Sequence, residues 1–302
     1  LLIDGKPADI YTVSSSWAAK DTLPAVFELT ACPLAGTELV AFSLGNPDGF
    51  LDWPRRGGVS AAVMPPVGEL RPLSSIVANN IVYVDPVGGS DAAAGDKDRP
   101  WQSLQKALDA IEGNTVVHVA AGTIAPDPGE LSSKGRARLL VTNVTAVVKV
   151  VADEGPSATS VVGAADPSPL TANDYGLGPR AVRCILMDGV TGVVGFQGFA
   201  LTGGRTAHVD DGGLATGWTQ GGAVYGCGKA CSHLIDCVIS GCNASRGAAC
   251  TGVCLMRCRI SGCAVVKQAG ILRDCGVVST YVTECETVDY TTAGGASVFY
   301  NS

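Results

Sequence analysis

The chain has 302 residues, a net charge of −7 and a pI of about 4.9, with 46% hydrophobic but only 6% aromatic residues. A nucleic-acid role and adsorption to an anionic membrane are disfavoured, because both need a basic face and no Lys/Arg run is present. No stretch approaches the roughly 20 apolar residues of a membrane-spanning helix.

Residues 1–80 read as a small β-rich module. Short alternating segments fall at 9–15, 25–30 and 38–43, separated by Pro- and Gly-containing turns such as NPDG at 46–49. The stretch GELRPLSS at 68–75 reads as a linker to the rest of the chain. It resembles the joint between an N-terminal sandwich and the body of several β-helical polysaccharide hydrolases.

Residues 82–124 read as strand, polar turn, helix, turn, strand. Ser103 is placed to cap the helix, Leu104, Ala107, Leu108 and Ile111 give it one apolar face, and Gly113 can terminate it. Such a helix suits the open end of a stacked-coil core, which would otherwise expose a slice of apolar surface. The turn 91–98 is acidic, but its spacing is not that of an EF-hand loop, so turn capping is preferred to Ca²⁺ binding. His118 alternates within a strand and reads as structural; His233 is ambiguous.

The segments Tyr83–Val84–Asp85–Pro86, Gly89–Ser90–Asp91, Pro100–Trp101, Ser103–Ala107 and Val117–Gly122 resemble the opening of the pectin-lyase-like parallel β-helix superfamily. Trp101, Asn114 and Ile124 stand where that pattern has Phe, Asp and Tyr. The resemblance implies an all-β fold, a right-handed parallel β-helix over 81–302 with the amphipathic helix as its N-terminal cap. It implies no catalytic residues. The NTD…DD…GHG set of polygalacturonase-like hydrolases and the WIDH and RxPxxR lyase signatures are not found.

The second half repeats. Gly222, Gly247, Gly270 and Gly295 recur at steps of 25, 23 and 25 residues, and LIDCVISGC (234–242), LMRCRISGC (255–263) and LRDCGVVST (272–280) align within them. This predicts a core ladder of Cys237, Cys258 and Cys275, with Cys242, Cys263 and Thr280 at a second position. GFQGFALTGG (195–204) is an outlying copy with Phe199 in place of the first Cys. Eleven of the 12 cysteines lie at or after Cys184. Buried thiols, disulfides between rungs and a zinc site all remain open for them. Asp236, Arg257 and Asp274 should form an outward charged stripe. This region also resembles large repetitive bacterial surface proteins and the passenger domains of autotransported adhesins.

For chemistry, glycoside cleavage needs two carboxylates and lytic cleavage needs a base with a cation. The best cluster is Arg205, His208, Asp210 and Asp211, in an insertion over about 203–220. These four are the catalytic candidates, with Trp218, Arg257 and Arg273 as candidate substrate contacts. No metal ligand set is expected; Ca²⁺ is the one cofactor that a lyase reading would add. The expectation is an exported, extracellular or cell-surface β-helix protein that hydrolyses, lyses or binds polysaccharide or a surface glycan. The alternative is a non-enzymatic, adhesin-like structural repeat.

Overall fold

The computed structural model describes residues 80–125, 129, 131–167, 175–208, 216–226, 228, 231–266, 270–287 and 299–300, together with the backbone of four short strands near the N-terminus. The chain divides into two compact units, Leu1–Ile76 and Val77–Ser302. In the first, Leu2–Ile3 pairs antiparallel with Lys6–Pro7, and Ile10–Thr12 with Phe27–Leu29. The latter two strands fall within the segments expected at 9–15 and 25–30. The segment expected at 38–43 lies outside the described residues.

The second unit is a right-handed parallel β-helix. Its first sheet stacks Asn80–Val84, Thr115–Val119, Val147–Ala152, Val193–Gln197, Ser232–Ile235, Cys254–Met256 and Gly276–Val278. The second stacks Gly122–Ile124, Thr159–Val162, Ala200–Thr202, Val238–Ser240, Arg259–Ser261 and Tyr281–Thr283. The third runs from Gly135–Thr142 through Arg183–Asp188, Val224–Tyr225, Cys250–Thr251 and Leu272–Arg273 to Phe299–Tyr300. Leu131–Ser132 adds an antiparallel edge to it.

Register makes the core a set of ladders. In the first sheet Val82, Val117, Val150, Phe196, Leu234, Leu255 and Val277 face one another rung by rung. In the second, Ile124, Val161, Leu201, Ile239, Ile260 and Val282 do the same. Period-2 alternation of β-branched residues sends these inward, which is why aliphatic runs suffice and few aromatics are needed. Phe196 and Phe199 meet edge-on at 5.8 Å within this core.

The cap helix spans Leu104–Asp109, shorter than the apolar pattern to Ile111 suggested. Ser103 is its N-cap, accepting from the Lys106 backbone N–H at 3.1 Å. Leu104, Ala107 and Leu108 are buried in the common core. Asp91 Oδ1 accepts from the backbone N–H groups of Gln102 (3.1 Å) and Ser103 (2.8 Å), so the acidic turn serves the helix entry.

In the regular coils several corners are a single residue with positive φ, followed by a side chain that points inward. Asp236, Arg257 and Ser279 (φ 53°, 52° and 47°) stack at one corner, and Gly241, Gly262 and Glu284 (58°, 59° and 52°) at the next. The third repeat copy is therefore not LRDCGVVST. Arg259 faces Tyr281 and Ala264 faces Glu286. The segment equivalent to LMRCRISGC is Val277–Cys285, with Thr280 beside Cys258 and Cys285 beside Cys263. Cys275 follows Asp274 (φ 51°) at a different corner, after the third sheet's Leu272–Arg273. The outlying copy is in the expected frame: Ala200 faces Val238, so Phe199 holds the place of Cys237.

Candidate functional site

The insertion between Thr202 and Val224 is held by a buried cation that composition and motif did not flag. Arg183, 1% exposed, donates to the carbonyls of Lys134 (2.7 Å), Gly217 (2.7 Å), Gln220 (2.9 Å) and Trp218 (3.3 Å). Its guanidinium also lies 5.5 Å from the Tyr225 ring centroid. Burial lowers its pKa to about 10, so it stays a cation at neutral pH. Its acceptors are all backbone, and the short 3₁₀ turn Thr216–Thr219 is thereby tied to the Ser132–Gly135 hairpin.

The candidates in this insertion have structural partners. Arg205 forms a parallel bridge to Asn243 and donates to the Gly204 carbonyl at 3.0 Å and to the Gly241 carbonyl. Burial pushes its pKa down, against neighbouring thiols that raise it. His208 is 3% exposed. Trp218, half-buried, donates its indole N–H to the Ser133 carbonyl. Asp210 and Asp211 lie outside the described residues.

Arg257 and Arg273 do not share a face. Arg257 forms a two-pronged ion pair with Asp236 on the neighbouring rung, at 2.7 and 2.8 Å. This guanidinium holds the Asp236 carboxyl below its ordinary value. Arg273 sits on the third sheet, 3.3 Å from Asp274 of its own corner. The stripe expected from Asp236 and Arg257 therefore continues to Ser279 rather than to Asp274, because the third copy is displaced. His118 Nδ1 is 2.7 Å from Asp153 Oδ1, and its ring stacks on Tyr83 at 5.2 Å.

A cavity of about 210 Å³ lies between Leu108–Gly113 and the turn Thr142–Ala146. It falls below the ~300 Å³ typical of ligand sites. Among the described residues, no three His, Cys, Asp or Glu side chains converge as a metal site.

The outer face of the second sheet is open at every described rung. In the first sheet the outward positions are covered at the later rungs, where His233 is 0% exposed and Ile235, Cys254 and Met256 are buried, but not at the earlier ones, where Ile81 is exposed and Tyr83, His118 and Lys149 are half-buried. In the second sheet every outward position from Thr123 to Thr283 is half-buried or exposed. One outward row runs Ala200, Val238, Arg259 and Tyr281; the other runs Thr202, Ser240, Ser261 and Thr283. Tyr281 is 70% exposed. After Val162, the second row is hydroxyl at four consecutive rungs, repeating at the ~4.8 Å strand spacing. Its signal was present in the sequence as ALT, VIS, RIS and YVT, but only the corrected frame aligns YVT with the others.

No protein-family model matches the chain, and no curated protein matches it. Solved structures do. A rhamnogalacturonan lyase is 12% identical over 74% of this chain and 65% of its own, with a TM-score of 0.35. A lacto-N-biosidase from Eubacterium ramulus is 12% identical over 68% and 41%, TM-score 0.35. A pectate lyase is 16% identical over 65% and 51%, TM-score 0.33. The chain thus spans less than two thirds of each of these proteins. Its own fold rests on its sheet order and register.

Proposed function

We propose that this chain is an exported glycan-binding β-helix whose contact surface is the outer face of the second sheet. The observation that carries this reading is the pairing of two rows on one open face: Arg259 and exposed Tyr281 beside the hydroxyls of Thr202, Ser240, Ser261 and Thr283. Sugar C–H faces stack on an aromatic ring, and sugar hydroxyls exchange hydrogen bonds with Ser, Thr and Arg. A polymer lying along the coil axis meets the same groups at successive rungs, so weak contacts add along its length. Extracellular or cell-surface location belongs to the same proposal, supported by the acidic, Gly/Thr/Ser-rich composition.

The test is affinity electrophoresis of the whole chain against a panel of acidic and neutral polysaccharides. Tyr281→Ala and Arg259→Ala should each weaken retardation several-fold while leaving the circular dichroism spectrum unchanged. Unchanged retardation in both variants would overturn the assignment of this face. The same panel, assayed for reducing ends and unsaturated products, tests cleavage. Activity lost in Asp210→Ala and Asp211→Ala would move the function to the insertion; binding without turnover fits the adhesin-like form of the proposal.

A further inference from the structure

The corners of the coil hold a column of thiols. Cys242, Cys263 and Cys285 each follow a positive-φ residue, and register places them on consecutive rungs: Asn243 faces Ala264, and Ala264 faces Glu286. Backbone hydrogen bonds fix the spacing, from Ala264 N–H to Cys242 O at 3.1 Å and from Glu286 N–H to Cys263 O at 2.9 Å. The three side chains adopt one orientation. Each thiol donates back to its strand, to Ser240 O at 3.4 Å, Ser261 O at 3.5 Å and Thr283 O at 3.2 Å. Below the column the Gly204 backbone packs against that of Gly222, and a Cβ there would also sit 3.1 Å from Cys184 Sγ. All four cysteines are free thiols.

Rungs about 4.7–4.9 Å apart fall within the Cα separations that a disulfide bridges. The column is not uniform in access. Cys184, Cys242 and Cys263 are buried, whereas Cys285 is half-buried. Among the described residues, Cys285 is the end of the column that an oxidant can reach.

We propose that Cys263 and Cys285 are a disulfide-forming pair, closed by a small-molecule disulfide such as oxidised glutathione. The bond fastens the coil that carries Tyr281 to the coil that carries Arg259. The Cys285 thiolate attacks one sulfur of the oxidant and releases one thiol. The Cys263 thiolate then attacks the Cys285 sulfur of the mixed disulfide and releases the second. The pair loses two electrons and two protons; the oxidant gains the electrons and leaves as two thiols. A hydrogen bond with Cys242 and burial raise the Cys263 thiol, and a hydrogen bond with Cys263 and burial raise that of Cys285, so both lie well above the ordinary range and closure accelerates as pH rises from neutral.

The experiment incubates the reduced whole chain with excess oxidised glutathione, quenches by alkylation and maps peptides without reductant. The expected product is a cross-linked peptide joining Cys263 to Cys285, formed equally in Cys242→Ser and absent in Cys285→Ser. Recovery of Cys285 only as free thiol or as a lasting glutathione adduct overturns the proposal. So does a product joining Cys263 to Cys242. The wild-type map decides the matter even if Cys285→Ser does not fold, and no glycan is involved, so the result is independent of the binding proposal.

Discussion

At several corners the chain accepts a left-handed residue so that the next side chain can enter the core. Non-glycine residues cost about 1–2 kcal/mol there. Asp236 and Arg257 occupy adjacent rungs of one corner and pair across them at 2.7 Å. Ser279, on the next rung, is exposed at φ 47°. Replacing it with a β-branched residue should be costly, while glycine relieves the strain. Ser279→Val is expected to lose about 1–2 kcal/mol in urea denaturation, and Ser279→Gly to lose nothing or gain a few tenths. Equal losses in both would show that the corner conformation is not the governing factor. The Asp236–Arg257 pair is partly solvated, so Asp236→Ala should cost at most about 1 kcal/mol. The folded Asp236 pKa is depressed, so this contribution is present above the unfolded value of ~3.9 and lost as pH falls through the folded one. The wild-type and Asp236→Ala stabilities should therefore converge in acid; a gap that persists or widens there would contradict the assignment.

At the scale of elements, strands and cap were legible because hydrophobic period and capping chemistry are local. Asn80–Val84, the helix from Leu104 and Thr115–Val119 follow directly from alternation and the Ser103 cap. The repeat frame was less legible for a physical reason. Corners on different sheets take a left-handed residue followed by an inward one, so Leu-x-Asp-Cys suits more than one corner. The sequence presents it at Leu234–Cys237 and at Leu272–Cys275, on different sheets. Nothing local distinguishes them; only register does, and it moves Thr280 beside Cys258. The insertion was recognisable as an excursion, but its anchor was not, since Arg183 sits in the preceding strand and binds carbonyls rather than a carboxylate. Arg183→Met would remove a donor from four buried or part-buried carbonyls, of which that of Trp218 keeps the Ala207 N–H as a partner. It should lose about 3 kcal/mol or more in urea denaturation and gain new proteolytic cleavage in 203–220. A stable, uncut variant would mean that the turn Thr216–Thr219 is held by other contacts.

In the whole unit, each coil buries its core against its two neighbours, so stability should behave as a sum of rungs and the interfaces between them. The rungs are unequal. Leu255, Ile260 and Cys263 are fully buried, whereas their partners one rung on, Val277, Val282 and Cys285, are only partly so. Less apolar area removed from water means less stabilisation per rung, at about 25 cal/mol per Å². The rung 276–287 should therefore open before the rung 254–265 in native-state hydrogen exchange. Leu255→Ala adds a cavity between them and should cost about 2–5 kcal/mol. If coupling is between nearest neighbours, that substitution accelerates exchange strongly at Leu234 and Val277, which flank it in the ladder, and far less at Val117, several rungs away. Uniform acceleration throughout 80–287 would instead mean that the β-helix unfolds as one cooperative block, and that the face bearing Arg259 and Tyr281 cannot loosen without losing the whole coil.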